Sequence, residues 1–290
     1  MTERPEIDDV TGVETTGHVW DDDIRELNKP LPKWWLYTFY VTIVWAIGYW
    51  IVYPAWPTIN GYTRGMLGYS QRAAVVSQVK AAGDAQASLR QALISTPLEK
   101  IKDSDDLSHF AAASGKSTFQ ANCAPCHGRG AQGSSGYPNL NDDEWLWGGS
   151  LEAIYMSIQH GVRNADGESR AISMPRFGVD KLLEPGQIAD TAEYVLSLSG
   201  KSNDQSAAAR GKTIFTEQCV SCHQEDGHGN QEFGAPNLTN AIWLYGSEKQ
   251  QIIESITTGR GGKMPAWSPR LDDASIRALA VYVHGLGGGQ

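Results

Sequence analysis

"ANCAPCHGRG" at 121–130 and "EQCVSCHQED" at 217–226 hold all four cysteines of the chain, Cys123, Cys126, Cys219 and Cys222. Each copy reads C-x-x-C-H. Three chemistries compete for such a motif. A dithiol redox centre needs only the two cysteines and leaves the histidine incidental. A zinc site needs four ligands, and each copy offers two thiolates and one well-placed imidazole with no second C-x-x-C nearby. Covalent haem c attachment uses all three residues: the thiols become thioethers to the vinyl groups, and the adjacent histidine reaches the iron from the same helical turn. Two copies that consume every cysteine favour the third reading, with two covalently bound haem c groups.

His127 and His223 are then the proximal ligands. The other nitrogen of each ring needs an acceptor that fixes the tautomer. A sixth ligand must come from elsewhere, and Met/His is the common set for electron-transfer haem c. A single methionine is more often a gap filler in a core. Met174 and Met264 are a matched pair, each followed by proline and lying 47 and 41 residues after a motif histidine. The spacing pairs His127 with Met174 at the first iron and His223 with Met264 at the second. His160 and His228 could compete for a sixth position, but such histidines are more often surface or satisfied core. Met66 and Met156 have no repeated counterpart and read as packing, and His109 and His284 show no ligand spacing. An iron with two protein ligands has no open site for oxygen or peroxide, so it passes electrons. No Ser-His-Asp set, phosphate loop or paired carboxylates stand out, and no catalytic residue is expected.

The motifs sit in an internal repeat. "GKSTFQ" from Gly115 pairs with "GKTIFT" from Gly211, "YPNL" (137–140) with "APNL" (235–238), and "WLWGGS" (145–150) with "WLYGS" (243–247). "MPRF" (174–177) pairs with "MPAW" (264–267), and "AEYVLSL" (192–198) with "LAVYVHG" (279–285). The changing offset predicts two small domains with loop insertions, over 111–200 and 208–290, joined by a linker "SGKSNDQSAAA" (199–209). Both read as all-α. Pro185 suits a first helical position, and Asp272 and Gly285 bracket another helix. Each unit of roughly 80 residues is small for an independent core, and a large apolar cofactor would supply the missing mass.

Upstream, 34–53 reads "WWLYTFYVTIVWAIGYWIVY" without a charge. As a helix it is ~30 Å long, the thickness of a bilayer core. Aromatics crowd both ends, as at membrane interfaces, and Pro54 and Pro57 stop the helix. A signal-peptide core is shorter and carries a small-residue cleavage site, which is missing here. The sequence therefore predicts a polar arm at 1–33, a membrane anchor at 34–57 and a connecting segment at 58–110, helical over 62–100 and linker-like over 102–109. Arg25, Lys29 and Lys33 precede the anchor, while Arg64 and Arg72 follow it, and the acids Asp21, Asp22 and Asp23 count little under the positive-inside rule. The N-terminus is expected inside. Haem c is attached outside the bacterial cytoplasm, which places the haem domains in the periplasm. The net charge of −9 argues against a nucleic-acid partner.

Each repeat resembles a class I cytochrome c. In that family a glycine and an aromatic of the first helix pack on an aromatic of the last, which Gly115, Phe119 and Tyr194 match in the first unit and Gly211, Phe215 and Tyr282 in the second. The resemblance also makes the carbonyls of Pro138 and Pro236 the acceptors for the proximal histidines. The whole chain, through "HVWDDDIRELN" (18–28) and "NKPLPKWWLYTFYVTIVWAIGYWIVYPAWP" (28–57), resembles the CcoP/FixP family, the dihaem subunit of cbb3-type cytochrome c oxidase. That resemblance implies an electron-transfer subunit in the bacterial inner membrane. Its donor would be a periplasmic cytochrome c or the quinol–cytochrome c reductase, and its acceptors the monohaem and catalytic subunits. The alternative is a free-standing, membrane-anchored dihaem carrier with the same haem chemistry. A peroxidase or gas-sensor reading would require one iron to lose its methionine.

Overall fold

A computed structural model describes residues 5–21 and 24–287. Asp22 and Asp23, ahead of the anchor, lie outside the described residues. The chain divides into two compact units, Met1–Ala85 and Gln86–Gln290.

In the first unit the polar arm is more ordered than its pattern suggests. Strand β1 (Thr15–Trp20) pairs antiparallel with β2 (Ile24–Leu27), with Val19 opposite Arg25 and Trp20 opposite Ile24. Glu26 accepts from the Trp20 indole across the pair, a cross-strand contact that no hydrophobic alternation announced. Helix α1 (Lys33–Val52) then matches the apolar run, and none of its residues is buried. It is long and apolar enough to cross a membrane. Trp35 stacks on Phe39 and Tyr49 on Tyr53, so rings lie along the helix near both ends. Tyr53 turns extended ahead of Pro54, and a tight hairpin of β3 (Pro57–Thr58) and β4 (Gly61–Tyr62) follows. Helix α2 (Gln71–Ser95) runs on from there, and only Leu93, close to its end, is buried.

The second unit is helical and has two lobes, but their composition differs from the expected pair of consecutive domains. Helix α3 (Asp105–Asn122) leads to the short α4 (Ala124–His127), and α5 (Leu151–His160) follows. Helices α6 (Pro185–Leu198) and α7 (Gln205–Gln218) lead to the short α8 (Val220–His223). Next come α9 (Lys249–Thr258) and α10 (Asp273–His284). One core joins Phe119, Ile154 and Ile158 with Ile276, Leu279 and Val283. The other joins Ile188, Ala192 and Val195 with Phe215, Ile252 and Ile256. The last helix of each sequence repeat therefore packs on the first helix of the other repeat. Phe119 meets Tyr282 at 5.5 Å between ring centroids, and Tyr194 meets Phe215 at 5.1 Å, rather than Phe119 with Tyr194 and Phe215 with Tyr282.

Two glycines make this exchange close-fitting. A Cβ on Gly115 would lie 2.1 Å from the Ala278 carbonyl oxygen, and one on Gly211 would lie 2.0 Å from that of Asp190. No other residue lets the paired helices approach so far. The physical reason for the exchange lies in 199–204. The segment expected to be a linker between domains is a tight turn: Lys201 N–H donates to Leu196 C=O, and the Ser202 hydroxyl to Glu193. Asp204 caps α7 by accepting from Ala207 N–H. The turn folds α7 directly back on α6. One lobe is thus a continuous stretch inserted into the other. The chain leaves the outer lobe after α5, builds the inner lobe from α6 to α9, and returns with α10.

The connecting segment also has a place. Leu93, Leu98 and Ile101 are buried with Leu107, Ala111 and Ala278. Arg277 on α10 donates to the carbonyls of Leu93 and Thr96 and pairs with Asp273. The stretch 102–109 is not a linker, since a 3-10 helix (Leu98–Asp103) runs into α3 with Ser104 between them.

Candidate haem site

The two C-x-x-C-H motifs fold identically. Cys123 ends α3 and Cys219 ends α7, and one helical turn carries the chain to the histidine, whose N–H donates to the first cysteine's carbonyl at 2.9 Å in both cases. The turn aims the two thiols and the imidazole from one short element. Beyond it the backbone turns left-handed, at Gly128 (φ 82°) and Gln224 (φ 65°). The following loop returns beneath the histidine, where Gly133 and Gly229 donate to the carbonyls of His127 and His223.

That return brings Pro138 and Pro236 to the rings. Nδ1 of His127 lies 3.1 Å from the Pro138 carbonyl oxygen, and Nδ1 of His223 lies 3.1 Å from that of Pro236. A carbonyl only accepts, so Nδ1 carries the proton and Nε2 keeps a free lone pair. Burial holds both imidazoles below the usual histidine pKa, against the opposing effect of the carbonyl bond. Burial thus favours the neutral ring, the form that ligates a metal. Burial pushes the Cys123 and Cys219 thiols up to about 11, with the neighbouring cysteine adding to it. No disulfide joins any of the four cysteines. Among the described residues no group of three or more His, Cys, Asp or Glu is placed to hold a metal ion by itself, so neither motif gathers a closed zinc shell.

In the inner lobe the motif opens on a mostly apolar cavity of about 190 Å³, lined by Cys219, Cys222, His223, Trp243, Phe177 and Met174. Thiols and an imidazole on one wall, a thioether in the lining and apolar sides suit a flat apolar macrocycle with a central metal.

Met174 thus lies with His223, and not with His127 as the spacing predicted. Met264 packs against the outer core, as Cys123, Ala124 and Trp267 also do. The reason is the same exchange. Gly161, at the end of α5, lies against the Met264 carbonyl, and Gly259, at the end of α9, against that of Met174. Val162 and Met264 exchange backbone hydrogen bonds at 3.0 and 2.9 Å, which fixes the second methionine loop on the first repeat. Each lobe brings together the motif, proline and methionine that were singled out, with the methionines traded.

The competing histidines have other partners. His160 lies 3.1 Å from Asp166, and His228 lies 3.0 Å from Asp226 at the surface. Met66 and Met156, expected as packing, are exposed. The sequence reading passed over Arg163, which also lines the inner cavity, and Trp147, over which Arg163 and Arg170 both lie. An arginine after the glycine of each repeat, in "GVR" and "GRG", was the available signal.

Comparison with known proteins accounts for nearly the whole chain. The family described as "Cytochrome C oxidase, cbb3-type, subunit III" matches residues 110–195 and 206–283. The chain belongs to this family. The family "N-terminal domain of cytochrome oxidase-cbb3, FixP" matches residues 12–60, covering the paired strands β1 and β2 and the apolar helix. A relative from Cereibacter sphaeroides, the cbb3-type cytochrome c oxidase subunit CcoP, is 53% identical, over 95% of each chain. The cbb3-type subunit FixP of Azorhizobium caulinodans is 52% identical, over 98% of this chain and 96% of its own. That of Bradyrhizobium sp. (strain ORS 278) is 53% identical over the full length of both. Family membership makes haem c the cofactor of the cytochrome domains and α1 the membrane anchor.

Proposed function

We propose that this chain is the dihaem electron-transfer subunit of a cbb3-type haem–copper oxidase. It carries one haem c in each lobe, attached through Cys123 and Cys126 in the outer lobe and Cys219 and Cys222 in the inner. The ligands would be His127 with Met264, and His223 with Met174. The observation that carries the reading is the doubled set of buried histidine, prolyl carbonyl, thiol pair and methionine, in a family of oxidase subunits.

When bound, haem c supplies one-electron chemistry. The chain's own residues do the rest. The Pro138 and Pro236 carbonyls hold the proton on Nδ1 and aim Nε2. The methionine thioethers would hold the iron, favour its reduced form and leave no position for substrate. Apolar side chains keep water away, and so limit reorganisation when charge arrives. No acid–base pair is needed, so the chain has no catalytic centre of its own.

The anchor would hold the subunit in the inner membrane with its N-terminus in the cytoplasm and the haem lobes in the periplasm. Electrons would come from a periplasmic cytochrome c or the quinol–cytochrome c reductase. They would leave towards the monohaem and catalytic subunits. The test is purification through a C-terminal tag from gently solubilised membranes. Two haem c per chain, with haem b, copper and cyanide-sensitive oxygen uptake in fixed ratio, is the expected result. An eluate with haem c alone and no oxygen uptake would make the chain a free-standing carrier.

A further inference from the structure

Arg163 stands where the chain passes from one lobe to the other, one residue after the Val162 that pairs with Met264. Its backbone is left-handed, at φ 51°. A non-glycine residue rarely adopts that conformation, and the surroundings must hold it there. The side chain makes two main-chain contacts. Nε donates to the Gly262 carbonyl at 2.8 Å, and Nη1 to the Ile172 carbonyl at 2.8 Å. Gly262 is two residues before Met264, and Ile172 is two residues before Met174. One planar guanidinium therefore binds the equivalent carbonyl of both methionine loops. It also lies over the Trp147 ring, 5.8 Å from its centroid. Arg170 lies over the same ring at 5.2 Å, but its donors go to Ser157 and Ala153 of α5, within one lobe.

We propose that Arg163 is a positioning residue that clasps the two methionine loops together, so that the hold of each methionine on its iron depends on the other lobe. The rigid fork of a guanidinium fixes two acceptors relative to each other, which a flexible ammonium does not. The exchanged fold gives such a clasp a purpose: each loop is carried on a strand of chain passing between lobes, and the fork is where the two passages meet.

The inference rests on methionine ligation in both lobes, and the experiment separates the two ideas. The full-length holoprotein is labelled with ¹³C-methyl methionine, and imidazole is added to displace the axial thioethers. Met174→Ala and Met264→Ala assign the shifted methyl signals. In Arg163→Gln, imidazole should displace both methionines at concentrations about tenfold lower, the scale of one lost charge-assisted hydrogen bond. Arg163→Lys keeps the charge and should recover less than half of the effect, and it serves equally if the glutamine variant fails to fold. Arg170→Gln should leave both displacements within about twofold. A change at one methionine only, at neither, equally in Arg170→Gln, or full rescue by lysine would overturn the clasp. Absence of shifted methyl signals from the wild-type chain would overturn methionine ligation, and the clasp with it.

Discussion

Gln224 follows the second motif histidine in the left-handed region, where glycine serves the first repeat as Gly128. The turn beneath the histidine demands that conformation in both copies, and a side chain there is strained. Gln224→Gly should therefore stabilise the protein by about 0.5–1 kcal/mol, the strain relieved less the entropy gained by the unfolded chain. Urea unfolding of the two proteins checks this. The traded methionines make a second prediction. In a Cys123→Ala/Cys126→Ala background only the proposed inner-lobe haem should be attached. Met174→Ala should then remove the axial-methionine absorption band, and Met264→Ala should leave it. Much of the site was legible at this scale. The motif identifies its histidine, and a "PNL" loop close behind it provides the carbonyl, because both contacts are local in sequence. Arg163 was not legible, since nothing in the residue type announces which carbonyls it will meet.

The junction of α6 with α7 shows what an element needs to be held in an exchanged position. Glu193 is almost fully buried on α6, where it accepts from Lys249 at the start of α9 and from Ser202 in the turn. The Lys249 bond, with Ser202 adding to it, holds the carboxyl below the usual range against the effect of burial. Glu193→Gln keeps the shape but loses the charge-assisted bonds, and should cost about 1–2 kcal/mol at neutral pH. A carboxyl with a depressed folded pKa contributes stability above its unfolded value of ~4.3 and loses it as pH falls through the folded value. The difference between the two proteins should therefore shrink below pH ~4, as read by chemical unfolding across the acid range. The helices themselves were legible from periodicity, proline and capping residues. Their partners were not. Both repeats carry the same glycine–aromatic pattern, so Phe119 is chemically as well matched to Tyr194 as to Tyr282. Sequence similarity says what each helix resembles but not which copy it covers. A turn at 199–204 too tight to separate two domains makes the choice.

At the scale of the whole molecule, the two lobes depend differently on α10. The inner lobe is continuous from the Met174 loop to α9. The outer lobe needs α10 and Met264, which arrive only after the inner lobe is finished. Truncation after residue 262 should therefore remove the methionine band of the haem at Cys123 and Cys126, while the haem at Cys219 and Cys222 keeps its own. Redox titration should then show one methionine-ligated centre in place of two. The reverse outcome, with the outer-lobe centre surviving, would mean that α10 is dispensable there. Two consecutive domains would have predicted loss of the second centre, and the repeat pattern alone gave no reason to expect otherwise.

The same insertion sets an order of assembly. Arg277 on α10 bonds to the carbonyl of Leu93, 184 residues earlier in the chain, and contacts so remote in sequence form late because their loop-closure entropy falls due before they stabilise anything. During synthesis the first cysteine pair emerges well before the second, yet its lobe has no final helix until α10 follows the whole inner lobe. On the proposed two-haem reading, the earlier attachment site would stay open to the attachment machinery the longest, and the pocket whose thiols appear last would be the first to shut.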